Sequence, residues 1–587
     1  MKFTGDFETA TWLEDESFVW AWAVCEIGSE NLKFGNSIES FFEFCEAEKN
    51  PEIYFHNLKF DGEFIIYYLL SHGFEHIENR KYRKDKTFTT LISDMGMFYS
   101  IEVFFKVGNK QVKKVKFYDS LKIIPFSVDQ VAKSFNLEIS KLTLDYNTPR
   151  SRNHILTPKE KDYITNDVLI MAKALNVLFK QNLTSMTQGS NALKDFKNII
   201  QKRRFDYYFP ELTKEADKDI RKAYKGGFTY LNPEYKEKLV GKGLVLDVNS
   251  LYPSIMRSKR LLPFGEGKFF EGKYVPDRVY PLYIQSFTCS FKIKKNKIPT
   301  IQLKDKHYKW YFMPNEYIES SKGEIVNLCL TNIDMKLFFE HYDVYDIEWL
   351  NGWKFKGISG LFDEYIDKWI EVKNEATISG NKGMRTLAKL MLNSLYGKFA
   401  TSLETKSKFP YLVDDVVKYR FSEPEEKKGV YIPMGAFITS YAREVTIRTS
   451  QKIKDYSIQK YGKDLYCYSD TDSIHTLLPI EELKQFCEID DVELGKWKHE
   501  SSFEEAKFLR QKCYCEKFGN EYNITCAGLP KKCMYKKDNS GILYYKTYEE
   551  DPNGKFQEVE KTFNINDFKI GFTASGKLTF KHVKRWC

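Results

Sequence analysis

No apolar run in this chain approaches the length of a membrane span; the strongest, "FIIYYLL" at 64–70, suits a buried element. The opening residues, MKFTGDFETATW, put acids where a secretory leader has basic and then apolar residues. The expectation is a protein that stays where it is made. No internal repeat or low-complexity tract appears, which excludes a repeat architecture. Cysteine chemistry is equally thin. Eleven cysteines stand singly, an odd number without a repeated C-x-x-C; Cys513 and Cys515 are too close for a zinc knuckle, and no His pair at ligand spacing accompanies them. This excludes a disulfide framework and reads as reduced thiols in a reducing compartment. The cationic excess is slight: 90 basic against 81 acidic residues give +9, which permits a basic channel without requiring nucleic acid.

Apolar bulk is what the chain has in quantity. With 42% hydrophobic and 16% aromatic residues over 587 positions it can fill large cores, and roughly three to five domains are expected. Residues 1–130 alternate strand-like runs ("FVWAWAVCEI", "EIYFHNL", "FYSIEVFF", "VKKVKFYDSL") with one helix-like piece, "GEFIIYYLLSHG". From Thr157, "TPKEKDYITNDVLIMAKALNVLFKQNL" reads as an amphipathic helix, with Thr as cap, Pro at the first position and Glu160 three after the cap. An α/β domain ending near residue 187 is expected. A strand, "GLVLDVNSLYPSIM", follows at 243–256, and 259–356 has the character of an insertion, rich in Gly, Pro, Lys and aromatics. Helices "GLFDEYIDKWIEVKNEA" and "MRTLAKLMLNSLYGKFA", a polar stretch at 401–433, a helix "AFITSYAREVTIRTSQKI" and a β-rich basic tail complete the chain.

The acids carry the chemistry. In "YCYSDTDSI" (466–474), Asp470 and Asp472 stand two apart in a run suited to a buried strand, where such side chains share a face. Unpaired like charges there cost on the order of several kcal/mol. The stretch alone leaves a hydrogen-bonded turn and a divalent-cation site equally open. "DFET" sets Asp6 and Glu8 on one face of another strand, "HNLKFDGEF" sets Asp61 just before a helix, and "YITND" puts Tyr163 and Asp167 one helical turn apart. Each is ordinary alone. Together, as D-x-E, N-x-x-F-D and Y-x-x-x-D, they form a set able to bind two Mg²⁺ through oxygen ligands. One ion can activate a water against a phosphodiester while the second stabilises the leaving oxygen; Tyr163 would orient that water.

This set resembles the DEDD-type 3′–5′ exonuclease of proofreading polymerases. The second body resembles a family B DNA polymerase: "DVNSLYPS" is similar to motif A, "KLMLNSLYGKF" to motif B, "YSDTDS" to motif C, and "YKGGF" at 224–228 to the Tyr-x-Gly-Gly link. With "YFHNLKFDG", "MTQGSNALKDFKNII" and the two insertions, the whole chain is similar to the protein-primed polymerases of phi-twenty-nine-like tailed phages. The resemblance implies an α/β and α+β multidomain fold. A ribonuclease H-like exonuclease domain (1–187) precedes a right-hand polymerase: palm (188–258), first terminal-protein insertion (259–356), fingers (357–400), second insertion as a β-hairpin (401–433), palm (434–540) and thumb (541–587).

If their strands are neighbours, Asp247 and Asp472 converge on a pair of Mg²⁺ that bind nucleotide phosphates and activate the primer 3′-OH. The resemblance gives Asp247, Val248 and Asp472 the ligand role and leaves Asp470 to shape the turn or reach the metal through water. Arg385, Lys389, Asn393 and Tyr396 fall at steps of four, four and three, hence on one helical face. They suit a triphosphate and a nascent base pair, but a solvated basic stripe beside Leu387, Leu390, Met391 and Leu395 explains the helix equally well. Lys373 is a further phosphate candidate, set off by "NEATISGNKGM", a spacer longer than the family pattern. Tyr252 is implied to stack under the deoxyribose and exclude a 2′-OH, the alternative being core packing. Lys512 and Tyr514 resemble the Lys-x-Tyr that holds the primer end, and Thr439 and Arg443 a template-binding element; Tyr224, Gly226, Gly227 and Ser250 are implied to contact DNA as well. Thr9, His56, Asn57, Phe60, Ser120 and Leu121 resemble residues gripping the frayed 3′ strand, and Lys141 a catalytic lysine.

The implied activity is DNA-directed DNA polymerisation of a linear phage genome from a protein primer, with 3′–5′ proofreading and strand displacement. The implied cofactor is Mg²⁺, two per active site, with Mn²⁺ able to substitute. Primer-template and single-stranded DNA, dNTPs, a terminal protein and a single-stranded DNA-binding protein are the implied partners of an otherwise monomeric chain in the cytoplasm of an infected bacterium. Two rivals remain. A nuclease with an inactive polymerase body is opposed by the intact Asp247, Asp470, Asp472 and Lys389. A non-catalytic DNA-binding scaffold is opposed by the gathered acids, because phosphate-binding surfaces avoid carboxylates unless metals intervene. A reverse transcriptase would carry Tyr-x-Asp-Asp in place of Ser-Asp-Thr-Asp.

Overall fold

The structure, a computed structural model, describes residues 1–587 apart from 14–15, 109–110, 147, 304–315, 531–532, 538–539, 551, 553, 576–583 and 586–587. Parts of the first insertion and of the expected thumb therefore lie outside the described residues. The chain forms two compact units: Met1–Lys202 with Asp367–Gly429 and Thr579–Cys587, and Arg203–Ile366 with Val430–Leu578. Among the described residues no helix is long and apolar enough to cross a membrane.

The first unit is built on eight strands: β1 (Lys2–Thr9), β2 (Val19–Glu26), β3 (Leu32–Gly35), β4 (Glu52–Phe55), β5 (Glu75–His76), β6 (Thr87–Ile92), β7 (Phe98–Val107) and β8 (Val112–Asp119). Their order in the sheet is β3-β2-β1-β4-β8-β7-β6-β5. β1, β4 and β8 run parallel, with Gly5 opposite Phe55 and Phe55 opposite Asp119. Parallel strands bury both faces, and Phe3, Phe7, Ile53, Phe55 and Phe117 form a core with Phe41. Gly5 permits this closeness: a Cβ there would meet Ile53 Cγ2 at 2.8 Å. Helix α1 (Leu58–Ser71) starts from Asn57, whose left-handed backbone (φ 80°) sends the first turn, with Asp61, back over the strand ends.

Helix α2 (Pro158–Lys180) packs on β1 and β2 and opens with the reciprocal cap expected from its sequence. The Thr157 hydroxyl accepts from the Glu160 N–H, and the Glu160 carboxylate accepts from the Thr157 N–H at 3.0 Å. Burial opposes the Glu160 charge, but hydrogen bonds from Arg150, Thr157 and His154 outweigh it and hold the carboxyl at about 2. The same unit contains α3 (Lys382–Ser394) and a hairpin of Lys408–Val413 with Val416–Phe421. Asp414 and Asp415 at its tip both have positive φ (50° and 58°), which a tight two-residue hairpin turn requires. The hairpin lies along α1, with Phe409 against His76 and Arg420 paired to Glu78 at 2.6 Å.

The second unit holds an antiparallel sheet of β9 (Thr229–Leu231), β10 (Gly243–Val248), β11 (Tyr466–Asp470), β12 (Ser473–Thr476) and β13 (Trp497–Phe503), ordered β9-β11-β12-β10-β13. Helix α4 (Ile432–Tyr461) packs against β11 and β12 and begins at the Pro433 turn, before the apolar signal read from the sequence. The 259–356 segment contains a four-stranded sheet with a core of its own, including Phe287, Phe291, Leu328, Phe338 and Tyr342. Two sequence expectations need correction. The strand expected over 243–256 stops at Val248, because Ser250 turns left-handed (φ 52°) and starts a helix at Leu251–Arg257. Asp472 is not in a strand: β11 ends at Asp470 and Thr471 turns the chain at φ 63°.

Removing the cap hydroxyl by Thr157→Ala should cost about 1 kcal/mol. Calorimetry on the full chain should show the loss as a lower unfolding temperature, and an unchanged transition would contradict the capping role.

Candidate active sites

A pocket of about 240 Å³ at the ends of β1 and β4 gathers Asp6, Glu8, Thr9, His56, Asn57, Phe60, Asp61, Lys141, Tyr163 and Asp167, together with Phe7, Thr11 and Tyr146. Strand β1 supplies Asp6 and Glu8, the left-handed start of α1 supplies Asp61, and the buried stripe of α2 supplies Tyr163 and Asp167. Burial, and then the Asp167 charge, push the Asp6 carboxyl up to about 7. Burial and Asp6 raise both Glu8 and Asp61 well above the ordinary carboxylate range. Burial raises Asp167 too, against the Lys141 ammonium 2.9 Å away. Burial disfavours the Lys141 charge in turn, yet Asp167 holds its pKa above the usual value.

The donor set suits a hard divalent cation. It is all oxygen, and among the described residues the buried Oδ1 atoms of Asp61 and Asp167 have no hydrogen-bond partner. Among the described residues, no three His, Cys, Asp or Glu side chains close on a single point as they stand. The acids are brought into one pocket and mutually repelled, and Lys141 is the single cation among its lining residues. Tyr163 Oη lies 2.5 Å from Tyr146 Oη, and burial keeps Tyr163 protonated and able to donate. Tyr146 was not singled out from sequence: it lies in an irregular segment with no periodicity, and only folding brings it to Tyr163.

Ser120 and Leu121 do not line this pocket. Ser120 is fully buried, with its hydroxyl 3.0 Å from both the Phe55 carbonyl and His56 Nδ1. The Asp119 carboxylate accepts from the backbone N–H groups of Leu121 and Asn57. In this structure the Ser120 hydroxyl points inward, and these groups hold His56 and Asn57 in place. His56 Nε2 is 2.6 Å from the Phe126 carbonyl, and burial lowers its pKa, so the ring is neutral and donates there.

In the second unit β10 lies between β12 and β13, with Asp247 opposite Ser473 and the Val248 N–H donating to the Asp472 carbonyl at 2.8 Å. The neighbouring strands thus bring the Asp247 and Asp472 segments side by side. Burial, with Asp470 adding to it, raises the Asp472 pKa. Asp470 has a different environment. Its carboxylate pairs with Lys512 Nζ at 2.7 Å and accepts from Thr229 and, at 3.3 Å, from the Tyr468 hydroxyl. Gly227 makes the close approach to this turn possible, since a Cβ there would stand 2.5 Å from Thr471 Cγ2.

Thr439 and Arg443 are both buried in the second unit. Thr439 is buried and donates back to Gly435 within α4. Arg443, 2% exposed, is held by Asp334 at 2.6 and 3.1 Å and donates to the carbonyls of Lys225 and Gly226, both at 2.7 Å. It fixes the Tyr-x-Gly-Gly segment from behind, near the half-buried Tyr224 and within charge reach of Tyr252. Its partner Asp334 carried no motif that sequence reading could find. Lys512 is exposed, while the Tyr514 ring packs against Tyr468 and His475.

On α3, Arg385, Lys389 and Asn393 are exposed, while Leu387, Met391 and Leu395 face inward. Tyr396 opens a separate short turn, Tyr396–Phe399. Burial, and then the nearby charges of Arg385 and Lys389, lower the Lys373 pKa, so three cations gather despite the longer spacer.

An enzyme of phosphodiester chemistry is the class these carboxylate sites and this basic helix define. The chain belongs to the family described as DNA polymerase type B, organellar and viral, whose model matches residues 45–158 and 143–476. It is 44% identical over 580 residues to the DNA polymerase of Bacillus phage Nf, covering 98% of this chain and 96% of that one. The DNA polymerase of Bacillus phage phi29 is 42% identical over 591 residues, covering 98% and 95%. The solved structure of phi29 DNA polymerase complexed with primer-template DNA and incoming nucleotide substrates superposes with a TM-score of 0.83 at 40% identity, covering 96% of this chain and 99% of that chain.

The raised acids make two linked predictions. Cation binding to the first pocket must displace protons, so affinity should fall as pH drops below about 7, by up to about tenfold per unit for each proton displaced. Without a cation the folded form holds the Asp6 proton longer than the unfolded form does, so stability should fall as pH rises from the ordinary 3.8 to about 7. Melting curves of chelator-treated protein at pH 5 and pH 8 should show this decline, reduced in Asp6→Asn; an equal decline in the variant would contradict the assignment.

Proposed function

We propose that this type B DNA polymerase replicates a linear phage genome from a protein primer and proofreads its own product. In this reading residues 1–187 are the exonuclease, 188–258 and 434–540 the palm, 357–400 the fingers and 541–587 the thumb; 259–356 and 401–433 serve protein priming and enclosure of the DNA. The observation that carries it is the presence of two separate carboxylate sites, one with four acids and one with Asp247 on a strand beside the turn that carries Asp472.

Asp6, Glu8, Asp61 and Asp167 would hold divalent cations in the first site, and Asp247, Val248 and Asp472 in the second; Mg²⁺ is the proposed ion, with Mn²⁺ as a substitute. Such ions, when bound, supply the positive charge that phosphoryl transfer needs. The chain's own groups do the rest. In the exonuclease, Tyr163, backed by Tyr146, donates from its hydroxyl to orient the attacking water, and Lys141 balances the charge of Asp167. Thr9, Asn57 and the exposed Phe60 ring grip the frayed strand, with His56 held neutral behind them. In the polymerase, Lys373, Arg385 and Lys389 hold the triphosphate, Asn393 and Tyr396 cover the nascent pair, and Tyr252 excludes a 2′-OH. Lys512 and Tyr514 hold the primer end, and Asp470 keeps Lys512 in position. Tyr224, Gly226, Gly227 and Ser250 line the template path, which Arg443 stiffens from behind.

Primer-template DNA, single-stranded DNA, dNTPs, a terminal protein and a single-stranded DNA-binding protein are the proposed partners, and the infected cell's cytoplasm the proposed location. The Lys408–Phe421 hairpin would narrow the template passage and couple translocation to strand displacement.

Because the two sites use different acids, single substitutions should separate the activities. Asp472→Asn should abolish primer extension in Mg²⁺ and spare degradation of single-stranded 3′ ends; Asp61→Ala should do the reverse. Loss of a ligand typically removes several kcal/mol of charge stabilisation, so rates should fall by about a thousandfold or more. Near-parental extension by Asp472→Asn would contradict the assignment.

A further inference from the structure

The described cysteines are thiols, and two of them stand together: Cys513 Sγ and Cys526 Sγ are 3.2 Å apart. They face each other across antiparallel strands, Cys513–Phe518 and Glu521–Cys526. The adjacent pair is joined by a backbone bond from the Ala527 N–H to the Lys512 carbonyl at 2.8 Å. In an antiparallel ladder, hydrogen-bonded and non-hydrogen-bonded pairs alternate, so Cys513 and Cys526 occupy a non-hydrogen-bonded position. There the Cα atoms approach to about 4.5 Å and side chains lie closest, within the span a disulfide tolerates. The geometry needs little movement: a bond of about 2.0 Å is a little over 1 Å shorter than the present separation.

The position is as telling as the distance. Cys513 lies between Lys512, whose ammonium holds Asp470 at 2.7 Å, and Tyr514, whose ring packs on Tyr468. The Lys512 N–H also donates to the Tyr468 hydroxyl, which donates to Asp470. Cys526 is the more accessible thiol, while Cys513 is 4% exposed. Burial, with Cys526 adding to it, pushes the Cys513 thiol up to about 12, so Cys526 is the thiol that meets a reagent first.

We propose that Cys513 and Cys526 form an oxidation-sensitive modification site that closes to a disulfide and thereby displaces the Lys512–Tyr514 segment from its working position beside Asp470. The oxidant is a low-molecular-weight disulfide of the glutathione type. Cys526 gives up its proton, its sulfur attacks one sulfur of the oxidant, and one small thiol leaves with that proton. Cys513 then loses its proton and attacks Cys526 Sγ, releasing the second small thiol. Two protein thiols are oxidised and one small disulfide is reduced to two thiols.

The functional half of this proposal rests on the role given to Lys512 in primer extension, whereas the cross-link itself does not. The test treats the full chain with oxidised glutathione, blocks remaining thiols, and maps the linkage by mass spectrometry of proteolytic fragments. Extension of a primed template and degradation of single-stranded 3′ ends are assayed alongside. A Cys513–Cys526 linkage with extension slowed by about tenfold or more, exonuclease rate unchanged and full recovery with a dithiol reductant, is the expected result. Cys526→Ser and Cys526→Ala should both resist the loss. No linkage, or equal inhibition of both variants, overturns the site. A linkage that leaves extension unchanged overturns its effect on Lys512 while leaving the thiol chemistry established, which distinguishes the two failures.

Discussion

Carboxylates confined together, away from water, set the conditions that the rest of the molecule meets. In the first unit Asp6, Glu8, Asp61 and Asp167 share one pocket whose lining contains a single cation, Lys141. Burial raises all four, repulsion between neighbouring carboxylates adds to it at Asp6, Glu8 and Asp61, and among the described residues two buried oxygens have no hydrogen-bond partner. Such an arrangement lowers stability by itself. It persists because strong local structure imposes it: three parallel strands closed by Gly5, the left-handed Asn57, and the reciprocal cap of α2.

The second unit treats charge differently. Asp470 is paired with Lys512, while burial and the Asp470 charge keep Asp472 raised next to the Asp247 strand. Arg443 is fully committed to Asp334 and to two backbone carbonyls, so a buried cation stiffens the Gly-Gly segment that packs on Thr471. A one-sided removal of Arg443 or Asp334 would strand a buried charge, which is far costlier than removing an exposed pair.

Much of this was legible in the sequence because local rules carried it. The cap at Thr157, the helical spacing of Tyr163 and Asp167, and the exposed face of α3 follow from periodicity and end chemistry. The Asp470–Asp472 pair shows where such reasoning fails. Alternation along a strand predicted a shared face, but Thr471 turns left-handed, and the neutralising cation comes from forty-two positions away. Tyr146, Asp334 and the internal roles of Ser120, Thr439 and Arg443 were illegible for the same reason. Each depends on a long-range contact or on burial that a motif does not encode.

The central claim is that two separate sets of acids are held for divalent cations. Direct binding of Mn²⁺, followed by the paramagnetic resonance signal of the free ion, tests it without any substrate. The full chain should show binding that falls in Asp6→Ala with Glu8→Ala, falls independently in Asp247→Ala with Asp472→Ala, and falls additively when the two pairs are combined. Binding that is indifferent to either pair would contradict the account.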